Sequence, residues 1–145
     1  MAYDIERLLR LWTDPLPEDA SAAADAFRAV YTDPVSVNGT QLSAADLVER
    51  ARALQATFDA PEREVLDVVQ SSSKVAVAFR LRGQQVGPLN TSAGVVPATG
   101  RVITLRVIDI LTVTDGLISG IWMVGDELGA LAAIDAVSLS PPPSG

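Results

Sequence analysis

The sequence predicts an α+β fold: a cone-shaped, curved antiparallel sheet packed against three N-terminal helices, with a short C-terminal helix. Two observations carry this. Apolar residues recur at helical spacing through the first part of the chain, and then at alternating spacing through the second. The resulting order, ααβαββββ, puts helices first and a long meander last, which is the arrangement of an α+β domain. Three helices against one curved sheet enclose a cone, and such cones hold an apolar pocket.

The elements follow in order. "YDIERLLRLW" sets Ile5, Leu8, Leu9 and Trp12 on one helical face, and "TDPLP" ends that helix. A second helix is expected through "EDASAAADAFRAVY", with Ala24, Phe27, Val30 and Tyr31 inward, broken by "TDP". "VSVN" reads as a short strand, and "NG" as a turn. Ser43 caps a third helix whose buried stripe is Leu47, Val48, Ala51, Leu54 and Phe58, stopped by "DAP". "EREVLDVVQ", the turn "SSSK" and "VAVAFRLR" begin the β region, where Val75, Val77, Phe79 and Leu81 alternate with Ala76, Ala78, Arg80 and Arg82. "GQQVGPLNTSAGVVPATG" reads as a long loop, either a functional lid or edge or a plain surface crossing. "RVITLRVIDILTV" and "LISGIWMV" form a hairpin across "TDG", and "DELGALAAI" closes with a short helix. Residues 1–137 are expected as one domain and the tail "SLSPPPSG", 138–145, as disordered.

Composition excludes several functions. Net charge is −7, and Lys74 is the only lysine among eleven scattered basic residues. Nucleic acid needs a cationic track, so it is not an expected partner. No apolar run approaches the ~20 residues that span a bilayer, and the N-terminal residues carry no secretory pattern, so no membrane association and a cytoplasmic location are expected. The chain has no histidine and no cysteine. That removes Ser-His-Asp triads, cysteine nucleophiles and ordinary zinc sites. No dinucleotide or phosphate-loop motif is present. Neither a metal nor another cofactor is expected, and proton chemistry falls to Asp, Glu, Tyr, Lys74, Arg or water.

The segments "GQQVG" (83–87), "PATGR" (97–101), "TDGLI" (114–118) and "WMVGDELGAL" (122–131) together resemble the SnoaL-like polyketide cyclases of the nuclear-transport-factor-2-like superfamily. The resemblance is strong over residues 75–134 and compatible over 4–60. It implies an α+β cone and a dimer formed through the sheet. It also implies a hydrophobic, oxygen-bearing ligand, with aldol-type cyclisation, isomerisation or epoxide hydrolysis as candidate reactions. Two departures stand out. Gln85 occupies the position of the family's turn histidine. The acid–base positions of characterised cyclases, as aligned, fall near Ile108, Ile110 and Val124, all apolar.

The candidate site residues are Asp109, Asp126, Asn38, Arg80, Arg106 and Trp122. Alternation puts Asp109 on the face of Ile103, Leu105, Val107 and Leu111, with Arg106, Ile108 and Ile110 opposite. A carboxylate on an apolar face is either a proton carrier with a raised pKa or one half of an ion pair, for which a bulge would have to bring Arg106 alongside. Arg106 either polarises a carbonyl or forms a rim salt bridge, and Arg80 and Arg82 compete for the same roles. Asp126 is a helix N-cap that the resemblance also places near the pocket mouth. Trp122 is pocket wall, core or stacking platform. Asn38 either binds a substrate oxygen or starts the "NG" turn.

The reading is a cofactor-free polyketide or ester cyclase, or a related isomerase, with Asp109 or Asp126 moving the proton and Arg106 and Asn38 steadying the oxygen. A non-catalytic binding or dimerisation module is the alternative, and an epoxide hydrolase comes third. The expected partners are a hydrophobic small molecule and a second copy of the chain, because the convex face would leave Val, Ile and Leu exposed.

Overall fold

The computed structural model describes residues 3–144. α1 (Ile5–Thr13) is capped by Asp4, whose carboxylate accepts the Arg7 amide, and it buries Ile5, Leu8 and Leu9 as its spacing predicts. α2 (Ala20–Arg28) is capped by Asp19 and buries Ala23, Ala24 and Phe27. It ends earlier than expected. Tyr31, assigned to its inner stripe, instead opens strand β1 (Tyr31–Val37) and stays buried there. The Asp33–Pro34 pair, expected as a break, lies inside β1 with a cis peptide bond. Pairing with the sheet outweighs the local helical pattern at this point.

β1 turns at Asn38 and Gly39 into β2 (Thr40–Leu42). Both turn residues have positive φ, 50° and 84°, the backbone that a two-residue hairpin requires and that Asn and Gly tolerate. α3 (Ala44–Thr57) starts with a capping box, in which the Ser43 hydroxyl accepts from the Asp46 amide and the Asp46 carboxylate accepts from the Ser43 amide. Its buried residues include Leu47, Val48 and Ala51.

Four long strands follow. These are β3 (Phe58–Gln70), β4 (Lys74–Gln85), β7 (Val102–Thr114) and β8 (Leu117–Gly125). The expected long loop between β4 and β7 is partly structured, since β5 (Leu89–Thr91) and β6 (Gly94–Val96) form a small separate hairpin. α4 (Glu127–Ala133) ends the ordered elements. Residues 138–144 of the expected tail carry no helix or strand, and Gly145 lies outside the described residues, as do Met1 and Ala2 at the start of the expected domain.

The main sheet runs β2-β1-β8-β7-β4-β3. It is antiparallel as expected except where β1 lies parallel to β8, so the sheet is mixed. The chain reaches that pairing only by passing through α3 and the whole meander, so no local pattern announces it. Between β4 and β7 the register is continuous from Lys74↔Thr112 to Gln84↔Val102. One face therefore collects Val75, Val77, Phe79 and Leu81 with Leu105, Val107, Asp109 and Leu111, and the helices cover it. The other face collects Ala76, Ala78 and Arg80 with Arg106, Ile108 and Ile110. Among the described residues, no helix is long and apolar enough to cross a membrane.

Candidate functional site

Helices α1 and α3 do not close tightly on the sheet. They leave a cavity of about 270 Å³, near the small end of ligand sites. Its wall is mostly apolar: Leu8, Leu9 and Trp12 from α1, Leu47 and Leu54 from α3, and Phe79, Leu81, Val107, Ile121 and Met123 from the sheet. Polar chemistry enters at few places. Asp109 and Tyr31 lie in the wall, Thr13 also lines it from α1, and the exposed Arg50 is the one basic lining residue.

Asp109 projects from the middle of β7, between Val77 of β4 and Met123 of β8. It is 8% exposed, and its Oδ1 is buried with no hydrogen-bond partner. Burial pushes its pKa up to about 7. The uninterrupted β4–β7 register leaves Arg106 on the opposite face, and among the described residues no ion pair includes Asp109. The bulge that an Arg106–Asp109 pair would need is not present in β7's pairing with β4.

Tyr31 is 3% exposed. The Trp12 indole Nε1 donates to its Oη at 2.8 Å. Phe27 stacks against Tyr31, with centroids 5.9 Å apart, and meets Trp12 edge-on at 5.4 Å. The phenol is held well above its ordinary pKa, first by burial and also by the charge of Asp109, against the lowering effect of the Trp12 bond.

The other five sequence candidates do not line this cavity. Asp126 caps α4, accepting the Gly129 amide at 2.9 Å, and takes a 2.8 Å bond from the Arg106 guanidinium. That guanidinium, followed by the Gly129 amide, holds the Asp126 carboxyl below the usual range. Arg106 and Arg80 stand on the outer face, where Arg80 pairs with Glu64. Trp122 is 61% exposed on the same face. Asn38 fastens β1 to β8: its Oδ1 accepts the Met123 amide at 2.8 Å, and its own amide donates to Ile121. Ile108, Ile110 and Val124, onto which the acid–base positions align, also lie outside. One residue of register separates Ile108 and Ile110 from the cavity-facing Asp109, which is why a one-residue misalignment exchanges the cavity face for a solvent face.

Gln85, the residue standing for the turn histidine, is fully buried. The two hydrogens of its Nε2 are shared among the carbonyls of Gly87, Val96 and Pro97, and its Oε1 accepts from the Thr99 amide and hydroxyl. It ties the β4–β7 connection together and does not line the cavity. Nearby Gly87 passes so close to the end of α3 that a Cβ there would meet the Ala56 carbonyl oxygen at 2.2 Å.

Sequence reasoning missed Tyr31 as a site residue and treated Trp12 as core. The available signal was that both carry a polar tip on an apolar body, which needs a partner when buried.

A cone of this kind, with a carboxyl sunk in an apolar cavity, has the geometry in which small-molecule sites are commonly found. Residues 6–134 match the SnoaL-like polyketide cyclase family, and the chain belongs to it. No curated protein sequence matches it. Among solved structures it resembles TsrD from Streptomyces laurentii, at 20% identity over 92% of both chains with a TM-score of 0.74. It also resembles wild-type IdmH from Streptomyces antibioticus, at 21% identity over 90% of this chain and 95% of that one, TM-score 0.68. A SnoaL-like polyketide cyclase from Agrobacterium tumefaciens aligns at 15% identity over 90% and 92%, TM-score 0.69. At these identities the likeness is one of fold.

Proposed function

We propose that this protein is an acid–base enzyme that moves a proton on a hydrophobic, oxygen-bearing small molecule, in a cyclisation or isomerisation that needs no cofactor. The observation that carries the proposal is the unpaired carboxyl of Asp109 in the wall of an apolar cavity. A group there with a pKa near 7 is divided between its two forms at neutral pH, so it can take a proton from a carbon acid and return it. Burial without a partner costs stability that an apolar residue would spare, and sites of that kind mark function.

In this reading Asp126, Arg106 and Asn38 serve the scaffold: the first two form a cap and ion pair, and the third fastens two strands. The test is Asp109→Asn, which keeps the shape and removes the titrating proton. With β-tetralone as probe, wild-type protein should exchange its α-protons with solvent deuterium, and the variant should lose the rate by ~100-fold or more while staying folded. Retained exchange in the variant would move the chemistry elsewhere. Absence of exchange in a wild-type protein that still binds apolar ligands would favour a non-catalytic binding module.

We further propose a homodimer built on the outer sheet face. Ile108, Ile110, Trp122 and Val124 are 57%, 44%, 61% and 73% exposed and adjoin one another across the β7–β8 pairing. An apolar patch of this kind on a sheet favours self-association.

A further inference from the structure

We propose that Tyr31 is a second catalytic residue, the hydroxyl donor to the substrate oxygen whose neighbouring C–H is deprotonated by Asp109. This rests on the acid–base reading of Asp109 and adds to it a residue.

The hydroxyl has one donor and two acceptor positions. Indole N–H only donates, so the 2.8 Å bond from Trp12 occupies an acceptor position and leaves the phenolic proton to be placed. Among the described residues no protein group accepts that proton. Asp109 lines the same cavity, and the two side chains do not hydrogen-bond to each other. A buried donor and a buried acceptor that both go unsatisfied by protein each carry a desolvation cost that a ligand bonding to them would relieve. Finding both in one mostly apolar wall points to a ligand that meets both.

The ring is fixed for the task. Phe27 stacks on one face, the Trp12 bond sets the oxygen, and the backbone belongs to β1, which pairs with β8 at Tyr31↔Ile118. A donor that need not reorganise is what stabilises a developing oxyanion. Because burial and the nearby carboxylate raise its pKa, the phenol stays protonated throughout the neutral range and acts by hydrogen bonding. The Trp12 N–H, bonded to the same oxygen, draws electron density from the O–H and makes it a better donor.

The step balances. The Asp109 carboxylate takes the α-proton, the C–H electron pair becomes a C=C bond, and the carbonyl π pair moves to the oxygen that Tyr31 bonds. The enolate carbon then either recovers a proton from Asp109 at another position, giving an isomer, or attacks a second carbonyl of the same molecule, whose oxygen takes the Asp109 proton and completes an aldol closure. No co-reactant is consumed.

The test uses two probes. β-Tetralone reports α-proton exchange, and β-naphthol, a planar apolar phenol, mimics the enol oxygen. Tyr31→Phe should reduce exchange by ~100-fold, the scale of losing one oxyanion donor. It should leave the pH midpoint of the residual rate near that of wild type and weaken β-naphthol binding at least several-fold. Trp12→Phe, which keeps the hydroxyl but not its polarising donor, should give a smaller loss. Should Tyr31→Phe fold poorly, global fluorotyrosine labelling marks only Tyr3 and Tyr31, and the fluorine resonance of residue 31 should shift on titration with β-naphthol. Wild-type exchange in Tyr31→Phe while Asp109→Asn is inactive would overturn this inference and leave the Asp109 reading standing. A fluorine resonance that ignores β-naphthol bound in the cavity would do the same. Loss of neither activity in the two variants would overturn both readings, and so would a wild-type protein that neither exchanges β-tetralone nor binds β-naphthol.

Discussion

Asp109 sits where a valine or leucine would be cheaper, and the cost depends on pH. Burial raises its pKa from 3.8 to about 7. Between those values the folded chain keeps a proton that the unfolded chain has released. The contribution to stability is therefore fully present below about pH 4 and is lost as pH rises through 7, at 1.36 kcal/mol per unit, or roughly 4 kcal/mol in all. Asp109→Asn should flatten this part of the stability–pH curve, and urea unfolding at pH 5 and pH 8 measures it. A wild-type curve that rises across that window would contradict the burial argument. The catalytic counterpart runs the other way, because the base must be deprotonated: β-tetralone exchange should climb with pH through about 7 and then level. Asp126 is the contrast. Its carboxyl is held low by Arg106 and the Gly129 amide, and asparagine is as good an N-cap as aspartate. Asp126→Asn should therefore change thermal stability little, as a melting curve would record.

At the level of elements, the β4–β7 connection is organised by one side chain. From a fully buried position Gln85 shares its two amide hydrogens among three carbonyls and accepts from the Thr99 amide and hydroxyl. Gln85→Ala removes all of these at once and leaves several polar groups without partners, so it should cost about 3 kcal/mol by denaturant unfolding. The loss should fall on residues 87–100 first, where amide hydrogen exchange should accelerate before the β4–β7 pairing does. α1 and α2 behave differently. Their caps, Asp4 and Asp19, lie in the sequence just ahead of their apolar stripes, and each helix begins where the residues indicate. The end of α2 was not legible, because Val30 and Tyr31 continue its spacing while the strand pairing of Tyr31 with Ile118 claims that residue for β1.

For the whole molecule, the two faces of one sheet carry the two proposed roles. The inner face holds the cavity, and the outer face holds Ile108, Ile110, Trp122 and Val124. A charge placed outside should separate them. Trp122→Glu should convert a dimer to monomer in sedimentation at micromolar concentration while β-naphthol binding persists. A wild-type protein that is monomeric there would remove the dimer proposal. Chelation should have no effect on melting temperature. The chain has no histidine or cysteine, and among the described residues no three acidic groups gather as a metal site would need. A large drop in melting temperature with EDTA would contradict this.

The sequence by itself determined the α+β class, the three leading helices and the Ser43 cap of the third, and the alternation that sets Asp109 apart from Arg106. Each of these depends on neighbours within one or two turns or on the two-residue period of a strand, and such information is local. Only the tertiary structure decided the rest. The parallel β1–β8 pairing, the room left between α1, α3 and the sheet, and the meeting of Trp12, Tyr31 and Asp109 join residues far apart in the chain, 97 positions from Trp12 to Asp109 and 115 from Leu8 to Met123 across the cavity. The same distance explains why Asn38, Arg80 and Trp122 lie outside the cavity. Their types suit a polar or stacking role, but which way a side chain on a two-faced sheet points is set by which face the helices cover, and that is settled by packing between elements far apart in the chain.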